Sequence, residues 1–333
     1  MEELHRHLIK LDDPNKIERK KNLQCICDIL KRKYPLQKEQ KLKLNNREVC
    51  LLWTEKLHSP LLRGLRDESE RVRELSAEIV LFFFGHMANS SPMTLSYTLP
   101  VLKQRLFHLP EEEAVEPSEE VRLLLLKILD KILKLSGPEN SEDLKAFQDD
   151  LVKILSSCVL DSFADIKELA CEDVHLLAEA LPKDFHFNAQ NLINPLLKAM
   201  THQQKKVRVA TIKAIGIVIM HSGFDELQLV ASHLAQRLFD DHPQVRLTVS
   251  RVAGDLLLNW KNAYSTCSLL IPLLLTTLED ETISTQEEIW KMWSQVGKKW
   301  VEEEATRDDK IKEQLDFQGA EQQPDHYPDD CKI

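Results

Sequence analysis

The chain has 333 residues, 43% of them apolar and 29% charged, with only 8 glycines and a formal net charge of −10. That length suits two ordinary domains or one extended array, and scarce glycine amid abundant leucine favours an all-α chain. Bulk acidity excludes a general nucleic-acid binder, because phosphate recognition needs clustered Lys and Arg.

The ends are unlike in charge. Residues 1–50 hold 13 basic against 8 acidic side chains, and residues 301–333 hold 4 basic against 11 acidic. Such ends are ordinarily solvated. No run of 18 uncharged apolar residues occurs, so no membrane span is expected. The opening MEELHRHLIKLDD lacks the apolar stretch of a signal peptide. The seven cysteines are scattered, with Cys158, Cys171 and Cys267 inside apolar helical runs. That pattern suits reduced thiols serving as small core residues of a cytoplasmic protein.

In chain order, the first predicted helix is KIERKKNLQCICDIL, entered through Asp12-Asp13-Pro14. Its Ile17, Leu23, Ile26 and Leu30 share a face, which marks a weak first unit over 1–45. A recurring phrase then begins: an Asp, four residues, a β-branched residue and often a base. Asp67 leads to Val72-Arg73. Val121-Arg122 follows without a matching Asp, after an acidic loop, LPEEEAVEPSEE, that carries Glu111, Glu112 and Glu113. Asp161 leads to Ile166-Lys167, and His202 takes the Asp place before Val207-Arg208. Asp240 leads to Val245-Arg246, while Asp280 precedes Thr285-Gln286. The anchors 72, 121, 166, 207, 245 and 285 lie 49, 45, 41, 38 and 40 residues apart. A period near 40 with two helical runs per unit is the mark of HEAT-type or armadillo-type repeats.

Pro60-Leu-Leu, Pro195-Leu-Leu and Pro272-Leu-Leu stand 12, 12 and 13 residues before their anchors. Each proline is expected near the start of a first helix, where its missing N–H has no partner to lose. Pro100 stands 21 residues before Val121, so the acidic loop is an excursion inside its repeat. The final predicted helix, STQEEIWKMWSQVGKKWVEEE, lines up Ile289, Trp293, Val296 and Trp300. Beyond it, 305–333 is acidic, poor in apolar residues, and reads as a largely disordered tail.

The expected architecture is an all-α, right-handed α-solenoid of HEAT/armadillo-type hairpins over 1–304, about six repeats with the first atypical. One hairpin cannot cover its own apolar faces, and stacking covers them. The turn Asp caps the following helix. Successive Asp and Arg in register form a side-chain ladder along the stacked turns. No HExxH, GxSxG, Walker-type or GxGxxG stretch occurs, and neither Cys25-x-Cys27 nor His5-x-His7 has zinc-site spacing. An enzyme, a cofactor and a metal are therefore not expected. Binding over a long surface is, with Lys205 and Lys206 at a helix start and Glu111, Glu112 and Glu113 in the acidic loop as candidate protein contacts.

Wording carries the reading further than period. The runs DFHFNAQNLINPLLKAMTHQQKKVRVATIKAIGIVI, HLAQRLFDDHPQVR and LLIPLLLTTLEDE resemble the HEAT-repeat family of axonemal dynein assembly factors. The likeness continues in SQVGKKWVEEE, in LDF at 315–317 and in His326-Tyr327-Pro328. It is densest over 150–330. What it implies is a cytoplasmic, non-catalytic scaffold for preassembly of axonemal dynein arms. Such a scaffold holds dynein heavy or intermediate chains and works with chaperones and other assembly factors. Family members continue through many more repeats, so the chain resembles an N-terminal portion. A general HEAT adaptor of the transport or phosphatase-scaffold type is the alternative. That class calls for regular acidic or Trp/Asn rows on successive second helices, which the sequence lacks.

Overall fold

A computed structural model of the chain describes residues 2–34, 47–86, 92–109, 112–136, 141–261 and 263–321. Glu111, one of the candidate contact residues, lies outside them. The described residues are helices joined by turns, in the order α1 (Glu2–Ile9), α2 (Lys16–Lys33), α3 (Arg47–Leu52), α4 (His58–Gly64), α5 (Glu70–His86), α6 (Pro92–Leu106) and α7 (Glu119–Leu135). There follow α8 (Ser141–Lys145), α9 (Gln148–Val159), α10 (Ala164–Ala180), α11 (His186–Ala189), α12 (Ile193–Ala199), α13 (Lys205–His221) and α14 (Phe224–Arg237). The last are α15 (Pro243–Asn259), α16 (Ala263–Leu275) and α17 (Ile283–Glu321). Grouped by their turns they make seven hairpins among the described residues, one for each of the six anchors and one for the weak first unit, against the six or so expected. The second helices are α2, α5, α7, α10, α13, α15 and α17.

The chain divides into two compact units, 1–249 and 250–333. In the first, each second helix packs on the next, α2 on α5, α5 on α7, α7 on α10 and α10 on α13. The β-branched anchors Val72, Val121, Ile166, Val207 and Val245 are all at most 2% exposed. The core is therefore a continuous seam under the turns, fed by Leu125, Leu129, Val174, Leu177, Ile212 and Ile215 on the 3–4 spacing of an amphipathic helix. Ile17, assigned by period to the buried face of α2, is instead exposed at the helix's opening turn. In the second unit Ile289 and Val296 are buried, and α17 packs on α16.

Two further expectations change. Pro60 and Pro195 stand third in α4 and α12, near a helix start as expected, whereas Pro100 and Pro272 lie well inside theirs. A π-helical turn, Trp53–Leu57, precedes α4, and a 3-10 turn, Gln190–Leu192, precedes α12. Those two first helices are thus broken into short pieces just before the ring that removes a backbone donor. Nor does helix stop at the start of the acidic stretch: α17 runs on to Glu321, and only 322–333 of the expected tail lies outside the described residues. The run from 301 is rich in Glu, Lys, Gln and Ala, and its first proline is Pro324, so nothing breaks the helix earlier.

Glycine matters where helices approach closely. Gly64 ends α4 where α5 crosses it, and a Cβ there would stand 2.2 Å from Ser76 Oγ and 3.1 Å from Ser76 Cβ. Gly64→Ala is expected to lower stability by about 1–3 kcal/mol through overpacking. Gly297, inside α17, has nothing within 4 Å of such a Cβ. Gly297→Ala should raise stability by roughly 1 kcal/mol through helix propensity alone. Thermal melts of the two variants against the parent chain check the pair of signs.

Candidate functional site

Seven turns repeat one local plan. A side chain at the head of each turn accepts the backbone N–H two residues on. Asp13 takes Asn15 N at 2.8 Å, Asp67 takes Ser69 N at 2.8 Å, and Glu116 takes Ser118 N at 3.2 Å. Asp161 takes Phe163 N at 2.8 Å, His202 Nδ1 takes Gln204 N at 3.1 Å, Asp240 takes His242 N at 3.0 Å, and Asp280 takes Thr282 N at 2.9 Å. This is an Asx-type turn rather than a helix cap. The bond goes to the N–H of the residue that precedes the helix, as at Phe163, the N-cap of α10.

Six residues after each turn head sits the side chain that closes the turn. Arg19, Arg73, Arg122 and Arg208 each send Nη1 back to two carbonyls, those five and six residues earlier, at 2.8–3.1 Å. Arg246 reaches the Asp240 carbonyl at 2.7 Å, and Gln286 reaches that of Asp280 at 2.6 Å.

The rest of each guanidinium points forward to the next turn head. Arg73 donates through Nε and Nη2 to Glu116 at 2.7 and 2.8 Å, and Arg122 to Asp161 at 2.8 and 3.1 Å. Arg19 Nε lies 2.7 Å from Asp67, and Arg208 Nε lies 2.8 Å from Asp240. These pairs are nearly dry: Glu116 is 0% exposed, and Arg73 and Arg122 are each 6%. Glu116 also receives Arg105 from α6. Burial pushes the Glu116 carboxyl up, but hydrogen bonds from Arg73, Arg105 and the Ser118 N–H outweigh it and hold it below the ordinary carboxylate range. Asp240 is lowered in the same way, burial being outweighed by Arg208 and the His242 N–H.

The series is interrupted at the fourth turn. Lys167 stands in the Arg place, its Nζ donates to the Val159 carbonyl at 3.2 Å, and His202 stands in the acid place ahead of it. Burial pulls the Lys167 ammonium down. Burial first, then the cations Lys167 and Arg208, pulls the His202 imidazole down.

Thus the turn heads Asp67, Asp161 and Asp240 and the bases Arg73, Arg122 and Arg208 are drawn into one periodic network. Arg246 and Asp280 take part through their own turns. Arg19 and Glu116 belong to the network and are missed by a template of Asp with a β-branched residue five on. The invariant spacing is six, from 13 to 19 and from 116 to 122, and it would have found both. Lys206 is engaged between hairpins, with Asp165 and, at 3.1 Å, with Glu168. Lys205, Glu112 and Glu113 are exposed. Cys158 and Cys171 are buried, which pushes both thiols up, Cys171 to about 12, so neither is a ready nucleophile. Among the described residues no group of three or more His, Cys, Asp or Glu is placed to hold a metal ion. No helix among them is long and apolar enough to cross a membrane.

Stacked hairpins with a buried ladder at their turns define a helical-repeat solenoid, a class built to present long surfaces. Computationally designed armadillo repeat proteins for modular peptide recognition share this fold, at a TM-score of 0.52 and 17% identity, over 75% of this chain and 98% of theirs. The family described as dynein axonemal assembly factor 5-like, TPR repeats, matches residues 10–314, and the chain belongs to it. The repeats here are longer than the 34 residues or so of a TPR unit and fall nearer the armadillo/HEAT length. The chain is 36% identical to dynein axonemal assembly factor 5 of Xenopus laevis over 98% of its length, and 38% identical to that of Mus musculus over 83%. It spans about a third of those relatives, 36% and 31% respectively.

Glu116→Ala strands two arginines in a dry site and is expected to cost about 3–5 kcal/mol. Because Glu116 and Asp240 titrate below their unfolded values, the stability they bring is complete above the ordinary carboxylate range. It drains away as pH falls through that range toward the lowered values. Acid unfolding of the parent and the Glu116→Ala chain, compared midpoint by midpoint, reads both effects. His202→Asp supplies the missing acid opposite Lys167 and should stabilise by about 1 kcal/mol in a denaturant melt near neutral pH.

Proposed function

We propose that this chain is a non-catalytic scaffold for the cytoplasmic preassembly of axonemal dynein arms, holding dynein heavy or intermediate chains alongside chaperones and other assembly factors. The observation that carries the reading is the family match across 10–314, the region that forms the repeat array. Relatives over most of this chain bear the name dynein axonemal assembly factor 5. The array fits a holding role physically. Its buried charged side chains at the turns are committed to one another, so they set register between hairpins rather than converge on a reacting atom. What remains for a client is the outer surface of the turns and helices. There Lys205, Glu112 and Glu113 offer charge, and Phe239 and Val115, each next to a turn head, offer exposed apolar contact.

Affinity capture of the tagged chain from cells building motile cilia, followed by mass spectrometry, tests the reading. Dynein heavy or intermediate chains and chaperones should be enriched over a capture with the Glu116→Ala chain. A set dominated by transport cargo or phosphatase subunits would put the general adaptor in its place. Enrichment of neither set would overturn both.

A further inference from the structure

The turn ladder leaves aside one pair of buried acids. Asp130 lies on α7 and Asp173 on α10, in the layer where the second helices of the third and fourth hairpins meet. Asp173 is 0% exposed, and neither of its carboxylate oxygens has a hydrogen-bond donor. Asp130 is 5% exposed and has Lys134 2.5 Å from Oδ1, one turn further along the same helix. A carboxylate buried without a donor is too costly to stay charged; it keeps its proton instead. Asp130, on the packed neighbour α7, is the group placed to accept that proton.

We propose that Asp130 and Asp173 form a proton-held joint between the third and fourth hairpins. While the Asp173 carboxyl donates its O–H to the Asp130 carboxylate, α7 and α10 stay closed. When that proton leaves to solvent, two like charges face each other in a dry seam and the helices part.

The surroundings support this assignment. Burial pushes the Asp173 carboxyl well up, the Asp130 charge pushes it further, Lys134 offsets part of the rise, and Glu172 on α10 adds to it. From α9 the neighbouring titratable group is Cys158, whose thiol is raised by burial and by the charges of Asp161 and Asp173. It therefore brings no cation. On the far side of α10, α13 presents Thr211, whose hydroxyl is engaged by the Val207 carbonyl at 2.7 Å and lies 3.6 Å from Cys171. Lys134 is the cation that acts on Asp173, and it is 47% exposed; Arg122 and Lys167 act on the neighbouring thiols Cys158 and Cys171.

The sign is opposite to that of the ladder. The closed joint holds one proton that the opened joint releases above the ordinary carboxylate range. Closure is therefore complete below that range and weakens as pH rises toward the raised value of Asp173. Opening grows by up to about tenfold per pH unit across that window.

Amide hydrogen exchange on the full chain, corrected for the intrinsic pH dependence of exchange, reads this directly. Protection in α7 and α10 should fall as pH is raised above the ordinary carboxylate range, by up to about tenfold per pH unit, while protection in α2 stays level. Asp173→Asn, which supplies an N–H donor in place of the proton, should flatten the profile and protect both helices at the alkaline end. Asp130→Asn should flatten it too, and provides the same readout if the first variant folds poorly. A level profile in the parent chain, or an unchanged slope in the Asn variants, would overturn the joint.

Discussion

A guanidinium six residues after the turn head is the interaction on which the array rests. It does two tasks at once. One nitrogen ties down two carbonyls of its own turn, and the other two grip the acid that heads the next turn. Hairpin and stack are thereby made by the same side chain, so a hairpin with the right turn already carries the contact for its neighbour. Lysine cannot do this, because a single ammonium has no fixed fork of donors. Lys167 shows the consequence, bonding one carbonyl at 3.2 Å where its arginine counterparts bond two. Burial sharpens the point. A dry ion pair adds little net stability over an apolar pair of the same shape, yet breaking it is costly. The ladder is therefore best understood as a device for register, laid over a seam of valine, isoleucine and leucine that supplies the driving force.

That division of labour bears on function. Where buried charges are spent on one another, the chemistry left to the surface is that of contact. A one-dimensional stack then offers many weak sites in a fixed spacing rather than a single deep pocket.

Much of this was legible in the sequence, and the exceptions have physical causes. The β-branched anchors stood out because a period near 40 is rare by chance and because those positions are apolar in a polar turn. Arg19 and Glu116 hid from the same template. The first unit has Glu18 in the anchor's place, and Glu116 sits in a loop whose acids look merely solvated. Glu116 occupies a position filled by Asp at five other turns and by His202 at one, and it also receives Arg105. Ile17 was misplaced because its register fits a buried face, yet it lies in the helix's first turn, ahead of the seam. Pro100 and Pro272 misled because their position was judged against the second helix, whereas α6 and α16 begin eight and nine residues upstream of them. Asp130 and Asp173 give no sequence signal. Each stands beside another charge, Lys131 or Glu172, as a solvated helix residue does, and only the packing of α7 on α10 buries them.

The turn heads at 13, 67, 116, 161, 202, 240 and 280 are 54, 49, 45, 41, 38 and 40 residues apart, yet the distance from head to closing side chain is six every time. Length varies in the rest of the repeat and not in the turn. The third hairpin makes the argument most clearly. It carries an acidic excursion that swells the connection between α6 and α7, and the chain still returns a carboxylate to the same place, two residues before the Ser118 cap and six before Arg122. Loop closure costs grow slowly with length, so an insertion there is inexpensive. Moving the acid by even one residue would leave Arg73 buried without a counter-charge. A chain built this way tolerates change in its connections, where a client can be met, for as long as the turns keep their count.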